Sequence, residues 1–131
     1  MTDHFGFTKL VVDDLERCAV FYSKVFGLTE TIRVSDDIAG RRIDEIMYQP
    51  TSPGGSSFVL LRFPDEATTG PAGVIPGFIT TDIEALVERA VAAGGTVIEP
   101  PLDRPAHGVT TTFIEDPEGR LIEVVQMLTK D

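Results

Sequence analysis

The stretch that decides the fold is Thr110–Gln126, which reads T-T-T-F-I-E-D-P-E-G-R-L-I-E-V-V-Q. Its centre, Asp116 to Gly119, is a turn sequence, because Asp bonds its own backbone, Pro presets φ and Gly tolerates a positive φ. The arms Thr110–Ile114 and Leu121–Val125 are rich in β-branched and aliphatic residues, which predicts two strands of a hairpin. The exception is Glu123. A carboxylate within an aliphatic strand must be solvated, paired or bound to something, since burying it alone is costly.

Composition restricts the classes of function. The chain has 131 residues, 42% of them hydrophobic, which suffices for one compact domain or two small modules sharing a core. A net charge of −10 disfavours nucleic acid and anionic membrane surfaces as partners. No apolar run is long enough to span a membrane, and no secretory signal is visible. The single cysteine, Cys18, excludes an internal disulfide, so we expect a cytoplasmic protein.

The first half of the chain has the pattern of a strand, a helix and three strands. A helix is predicted from a cap at Asp13, with Glu16 completing a capping box, to Phe26, where Gly27 stops it. The predicted strands are Phe5–Val12, Thr29–Val34, Arg42–Tyr48 and Ser57–Phe63.

The pattern recurs after a Pro- and Gly-rich connection. Thr81 and Glu84 are predicted to start a second helix that ends at Gly94-Gly95. The predicted strands are Val74–Thr80, Thr96–Glu99, Val109–Ile114 and Arg120–Met127. The sequence therefore predicts an α+β fold of two tandem βαβββ modules, residues 1–63 and 74–131, joined by a linker over 64–73 within a single domain, 1–131.

Two motifs within this repeat resemble the vicinal oxygen chelate superfamily. They are V-D-D-L-E-R-C-A-V-F-Y-S-K-V-F-G-L, residues 12–28, and E-D-P-E-G-R-L-I-E-V-V, residues 115–125. The superfamily includes glyoxalase I, bleomycin-resistance proteins, fosfomycin-resistance enzymes and extradiol dioxygenases. The resemblance implies a curved mixed sheet around a cleft, helices outside, and a homodimer. It leaves open whether the modules pair within a chain or by exchange between chains.

The resemblance also implies where a divalent metal would bind. In the superfamily's enzymes, His, Gln or Glu on the first and last strand of each module hold the ion. The matching positions here are Phe7, Ile75 (or Pro76), Leu60 (or Val59) and Glu123. Because only Glu123 has a donor atom, we expect no metal ligand set and no cofactor. A divalent metal held with Glu123 remains the alternative.

Strand alternation and the repeat predict that a shared cleft face carries, with Glu123, the side chains of Phe7, Lys9, Phe58, Leu60, Arg62 and Ile75. Three outcomes are open for this carboxylate: a salt bridge to Lys9 or Arg62, ligand binding or acid–base work, and metal ligation. His107, in the loop before the seventh strand, is a candidate general base or ligand donor near the cleft mouth. The predicted ligand-binding residues are Phe7, Lys9, Phe58, Leu60, Arg62, Ile75 and Glu123.

The pattern therefore favours a metal-independent protein that binds a small apolar or aromatic molecule, as bleomycin-resistance proteins do. The alternative is a glyoxalase- or dioxygenase-like enzyme, a lyase or isomerase, in which Glu123 works with a divalent metal or as a general base.

Overall fold

The computed structural model describes residues 5–67 and 74–128. The predicted linker 64–73 lies partly outside them, since residues 68–73 are not described. The first half contains one helix and four strands: β1 (Phe7–Val11), α1 (Leu15–Phe26), β2 (Glu30–Ile38), β3 (Arg41–Tyr48) and β4 (Ser57–Arg62). The second half repeats this order: β5 (Gly77–Ile79), α2 (Ile83–Ala92), β6 (Thr96–Arg104), β7 (Val109–Glu115) and β8 (Leu121–Met127).

Each half of the described chain forms a four-stranded mixed sheet. The orders are β1-β4-β3-β2 and β5-β8-β7-β6, with β1 parallel to β4 and β5 parallel to β8. The predicted α+β fold of two βαβββ units is confirmed. Strand β6 is longer than predicted because Pro100 and Pro101 are tolerated on an edge strand, where the register also shifts.

Both helices begin one residue later than predicted. Asp14 caps α1 by accepting from the N–H of Arg17 at 3.1 Å, and Asp82 caps α2 through the N–H of Ala85. In each case two adjacent residues could serve as the cap, which the sequence pattern does not resolve. The predicted stops hold, since Gly27 and Gly94 have positive φ.

The helix sides of both sheets share one hydrophobic core. Phe26 of α1 stacks on Phe78 of β5 with ring centroids 3.7 Å apart, and Phe58 of β4 lies 6.2 Å from Phe78. Cys18 is buried in this core, as predicted, and burial raises the pKa of its thiol. Ile122 of β8 is also fully buried there, so the helices pack on the predicted face of that strand.

The hairpin turn of the second half is hydrogen-bonded to the first half. Buried Arg120 donates to the Asp116 carboxylate at 2.9 Å and to the carbonyl of Val11 at 2.9 Å. The Tyr22 hydroxyl donates to Asp116 at 2.9 Å, and desolvation together with this carboxylate raises the Tyr22 pKa. Glu118 accepts from the N–H of Asp14 at 2.6 Å and so does the work expected of Glu16. The D-P-E-G turn thus completes the start of α1.

Candidate functional site

The register of β4 corrects the prediction of which residues share a face with Lys9. Lys9 pairs with Val59 and Leu10 pairs with Leu60, so Val59 lies on the Lys9 side and Leu60 on the helix side. Leu60 is fully buried in the core, and the Phe58 ring lies 5.2 Å from that of Tyr22. The prediction that Phe58, Leu60 and Arg62 share the Lys9 face is wrong.

The cause of this error is physical. Val59, Leu60 and Leu61 are all nearly fully buried, so hydrophobicity along β4 does not show which side chains face the helices and which face away. The pairing of Gly77 with Glu123 then equates Val59, rather than Leu60, with Glu123 in the repeat. This matches the one-residue slip that the sequence left open.

The face of the first sheet that points away from the core carries an ion pair. Lys9 Nζ lies 3.0 Å from Glu45 Oε2, and the Glu45 side chain is 5% exposed against 30% for Lys9. Lys9 also lies 5.8 Å from the centre of the Phe7 ring. Lys9 therefore neutralises Glu45, which the sequence reasoning missed. A lysine in an apolar strand signals a nearby acid, but Asp44 and Glu45 offered two candidates of opposite parity.

The equivalent face of the second sheet carries Glu123. This residue pairs with Gly77 on one side and Phe113 on the other, and Leu121 and Val125 are its neighbours on the same face of β8. The side chain is half-buried, and its carboxylate makes no hydrogen bond or ion pair within residues 5–67 and 74–128. Of the three outcomes left open for Glu123, the salt bridge to Lys9 or Arg62 is therefore not the one found.

Open space lies at Gly77, the strand partner of Glu123 on β5. At Gly77, a Cβ atom would have no heavy-atom neighbour within 4 Å. A half-buried acid next to an unfilled space on an apolar strand has the composition of a small-molecule site. It can accept hydrogen bonds or attract a cation, and it can act as a base.

Two other candidate residues do not join Glu123. His107 is exposed in the 3-10 turn Pro105–His107. It lies beyond Val109, which is itself four residues, about 13 Å of strand, from Phe113. Ile75 is 58% exposed in the extended segment before β5.

The two candidate faces lie on the sides of their sheets away from the shared core. No hydrogen bond or ion pair joins Lys9 and Glu123 in the described part of the chain. Each face remains open in the single chain, which leaves Phe7 58% and Ile79 78% exposed.

Comparison with known families decides the identity of this fold. The profile of the glyoxalase/bleomycin resistance protein/dioxygenase superfamily matches residues 2–124. The chain belongs to this superfamily. Members of the glyoxalase superfamily bind small molecules and are commonly dimeric, and they often use a divalent metal.

Individual relatives differ in what they do. The chain is 31% identical over 123 residues to the lactoylglutathione lyase GLX1 of Arabidopsis thaliana, covering 88% of this chain and 41% of the relative. It is 30% identical over 128 residues to the anthracycline biosynthesis protein DauV of Streptomyces sp. (strain C5), covering 85% and 42%. The chain thus spans less than half the length of these curated relatives.

A solved glyoxalase family protein from Bacillus cereus has the same fold. It superposes with a TM-score of 0.80 at 18% identity, covering 98% of this chain and 99% of that one. Such a match at this identity describes the fold alone.

The donor set of this glyoxalase-superfamily chain does not fit the metal site of the metal-dependent members. Phe7, Val59 and Ile75 stand at three of the four positions that the resemblance assigns to ligands, and their side chains have no donor atoms. Among the described residues, no group of three or more His, Cys, Asp or Glu side chains is placed to hold an ion.

No helix in the described ranges is long and apolar enough to cross a membrane.

Proposed function

We propose that the protein is a metal-independent binding protein for a small apolar or aromatic compound, which it sequesters against the Glu123 face. The observation that carries the proposal is the half-buried Glu123 carboxylate, unpaired among the described residues and next to open space at Gly77. An ionised carboxylate only accepts hydrogen bonds, so the ligand needs an ammonium, amine or hydroxyl group to meet it.

The surroundings of Glu123 support an aromatic body for that ligand. Phe113, Leu121 and Val125 share its face and are half-buried, so a flat apolar molecule would remove their remaining surface from water. The similarity to an anthracycline biosynthesis protein also supports a polycyclic aromatic ligand class.

We also propose that the ligand-binding form is a cytoplasmic homodimer of single-domain chains. The open faces of the two sheets, with exposed Phe7 and Ile79, support closure of the site by a second copy. Sedimentation equilibrium should give twice the chain mass, and Ile79→Asp should shift the equilibrium to the monomer. A wild-type monomer at micromolar concentration would contradict this part of the proposal.

A second candidate function is catalysis with Glu123 as the general base of a lyase or isomerase. The unpaired carboxylate favours it, as does the similarity to a lactoylglutathione lyase. Under this alternative, Glu123→Gln abolishes turnover of a substrate while its affinity is kept. Under the binding proposal no turnover occurs, and the affinity itself falls.

The experiment that tests the proposal combines a ligand screen with metal analysis. Protein purified without chelator is screened by thermal shift against aromatic amines, aromatic antibiotics and thiol conjugates, and its metal content is measured by mass spectrometry. We expect stabilisation by aromatic amines that EDTA does not remove and that Glu123→Gln reduces. Glu88→Gln, which removes an exposed acid on α2, is the matched control and should retain it. One tightly held divalent ion per chain would overturn the proposal.

A further inference from the structure

A groove of about 870 Å³ lies between α2, the β3–β4 connection and β5. Gly77, the strand partner of Glu123, lines it, whereas Glu123 itself does not. We call it the α2 groove. Its volume falls in the range of pockets that hold drug-sized molecules. Aromatic side chains, hydroxyl groups and a guanidinium line it, among them Phe26, Phe58, Phe78, Ser56, Thr80 and Arg89.

The internal repeat explains why this space is open. At the other junction between the halves, the equivalent place is filled by what we call the clasp, the hydrogen-bonded cluster of Tyr22 from the first half with Asp116 and Arg120 from the second. Ala90 occupies the position of Tyr22, counted from the helix cap, and Ser56 precedes the last strand of its module as Arg120 does. Small residues thus stand where the clasp has large ones. Large side chains fill one junction between the two halves, and small ones leave the other junction open, which provides room there for a ligand.

The charges of the lining indicate which ligand fits. The protein has 21 acidic residues, yet none lines the α2 groove in the part of the chain that the structure describes. Arg89 lines it, and two of its N–H groups donate to the carbonyl of Val25 at 3.2 and 3.1 Å. These bonds hold the guanidinium in place and leave its other N–H donors for an anion.

We propose that the α2 groove is a second ligand site that takes a planar aromatic anion, such as an aromatic carboxylate or sulfonate. The rings of Phe58 and Phe78 contact the aromatic body, and Arg89 binds the acid group. The groove reaches Gly77, beside the Glu123 face, so the two sites adjoin. Their charge preferences are opposite, and this separates them by experiment.

The test uses two naphthalene dyes that differ in one acid group. 1-Anilinonaphthalene-8-sulfonate is the anion, and N-phenyl-1-naphthylamine is its neutral counterpart. We expect saturable fluorescence of the anion with one site per chain. Arg89→Gln should lower the affinity for the anion by about tenfold or more, the value of a charge-assisted bond. The affinity for the neutral dye should stay within about twofold of that of the wild type.

Variants locate the dye. Ser56→Trp fills the groove at an exposed position and should abolish binding of both dyes. Thr96→Trp, at an exposed position of β6 that does not line the groove, is the matched control and should bind both as the wild type does. Glu123→Gln should also bind the anion unchanged, and circular dichroism checks that each variant is folded.

Three results would overturn the proposal. They are the absence of saturable anion binding, unchanged binding in folded Ser56→Trp, and equal loss of both dyes in Arg89→Gln. Loss of binding of the anionic dye by Glu123→Gln would likewise overturn it, because the dye would then occupy the Glu123 site.

Discussion

The faces of the two sheets that point away from the core are equivalent in the repeat, but their charged residues stand at different positions. In the first sheet, Lys9 lies beside Val59 and pairs with buried Glu45. In the second, Gly77 takes the place of Lys9 and Glu123 that of Val59. One face therefore neutralises its acid internally, whereas the other presents an acid, without a partner among the described residues, next to space.

This difference separates a structural acid from a functional one. A buried acid with a fixed cation contributes to stability only while the pair is intact, because removal of one partner leaves an uncompensated charge. An acid that is half-buried and unpaired contributes little to folding, and such groups concentrate at binding and catalytic sites. The comparison predicts that variants of the first face change stability and that variants of the second change binding.

The largest effect on stability is expected from Lys9→Met. It leaves Glu45 buried without its cation, which should lower the free energy of unfolding by about 2 kcal/mol, less than for a fully buried pair because Lys9 is partly exposed. Urea denaturation measures the change. Lys24→Met, at an exposed position of α1, is the control and should stay within about 0.5 kcal/mol of the wild type. If the two variants are equally stable, Lys9 and Glu45 are not coupled.

A smaller loss is expected from Glu45→Gln. The amide oxygen can still accept a hydrogen bond from Lys9 Nζ, so only the charge assistance is lost, about 1 kcal/mol. Denaturation of Lys9→Met/Glu45→Gln should then show less destabilisation than the sum of the two single variants, because no unpaired charge remains. Strict additivity would speak against the pair.

The comparison can also be reversed by placing a lysine on the second face. Gly77 has an ordinary backbone conformation with open space at its Cβ, so Gly77→Lys should fold and alter stability by no more than about 0.5 kcal/mol. Its ammonium should pair with Glu123 and abolish binding of an aromatic amine in the thermal-shift screen, whereas Gly77→Ala should retain it. Undiminished binding by Gly77→Lys would place the ligand elsewhere.

The fold was largely readable from the sequence because its signals are local. The turn Asp116 to Gly119, the helix stops and the repeat each depend on a few adjacent residues. Which residues of β4 face the helices could not be predicted, since a strand buried on both faces shows no alternation of polar and apolar residues.

The candidate site was predictable only in part. Glu123 was identified because a carboxylate interrupts an aliphatic strand. The Lys9–Glu45 pair and the empty α2 groove depend on which strands and helices become neighbours, and that is set by tertiary packing rather than by spacing along the chain. The clasp at Arg120 was missed for the same reason, since its partners lie in the other half.

The most direct test of the central claim is calorimetric titration of the aromatic amine found in the screen into EDTA-treated wild type, Glu123→Gln and Glu45→Gln. We predict metal-free binding by the wild type and by Glu45→Gln. For Glu123→Gln we predict an affinity that is lower by about tenfold or more, together with a free energy of unfolding within about 0.5 kcal/mol of that of the wild type. Equal affinities in all three proteins, or binding that returns only when a divalent metal is added, would contradict the account.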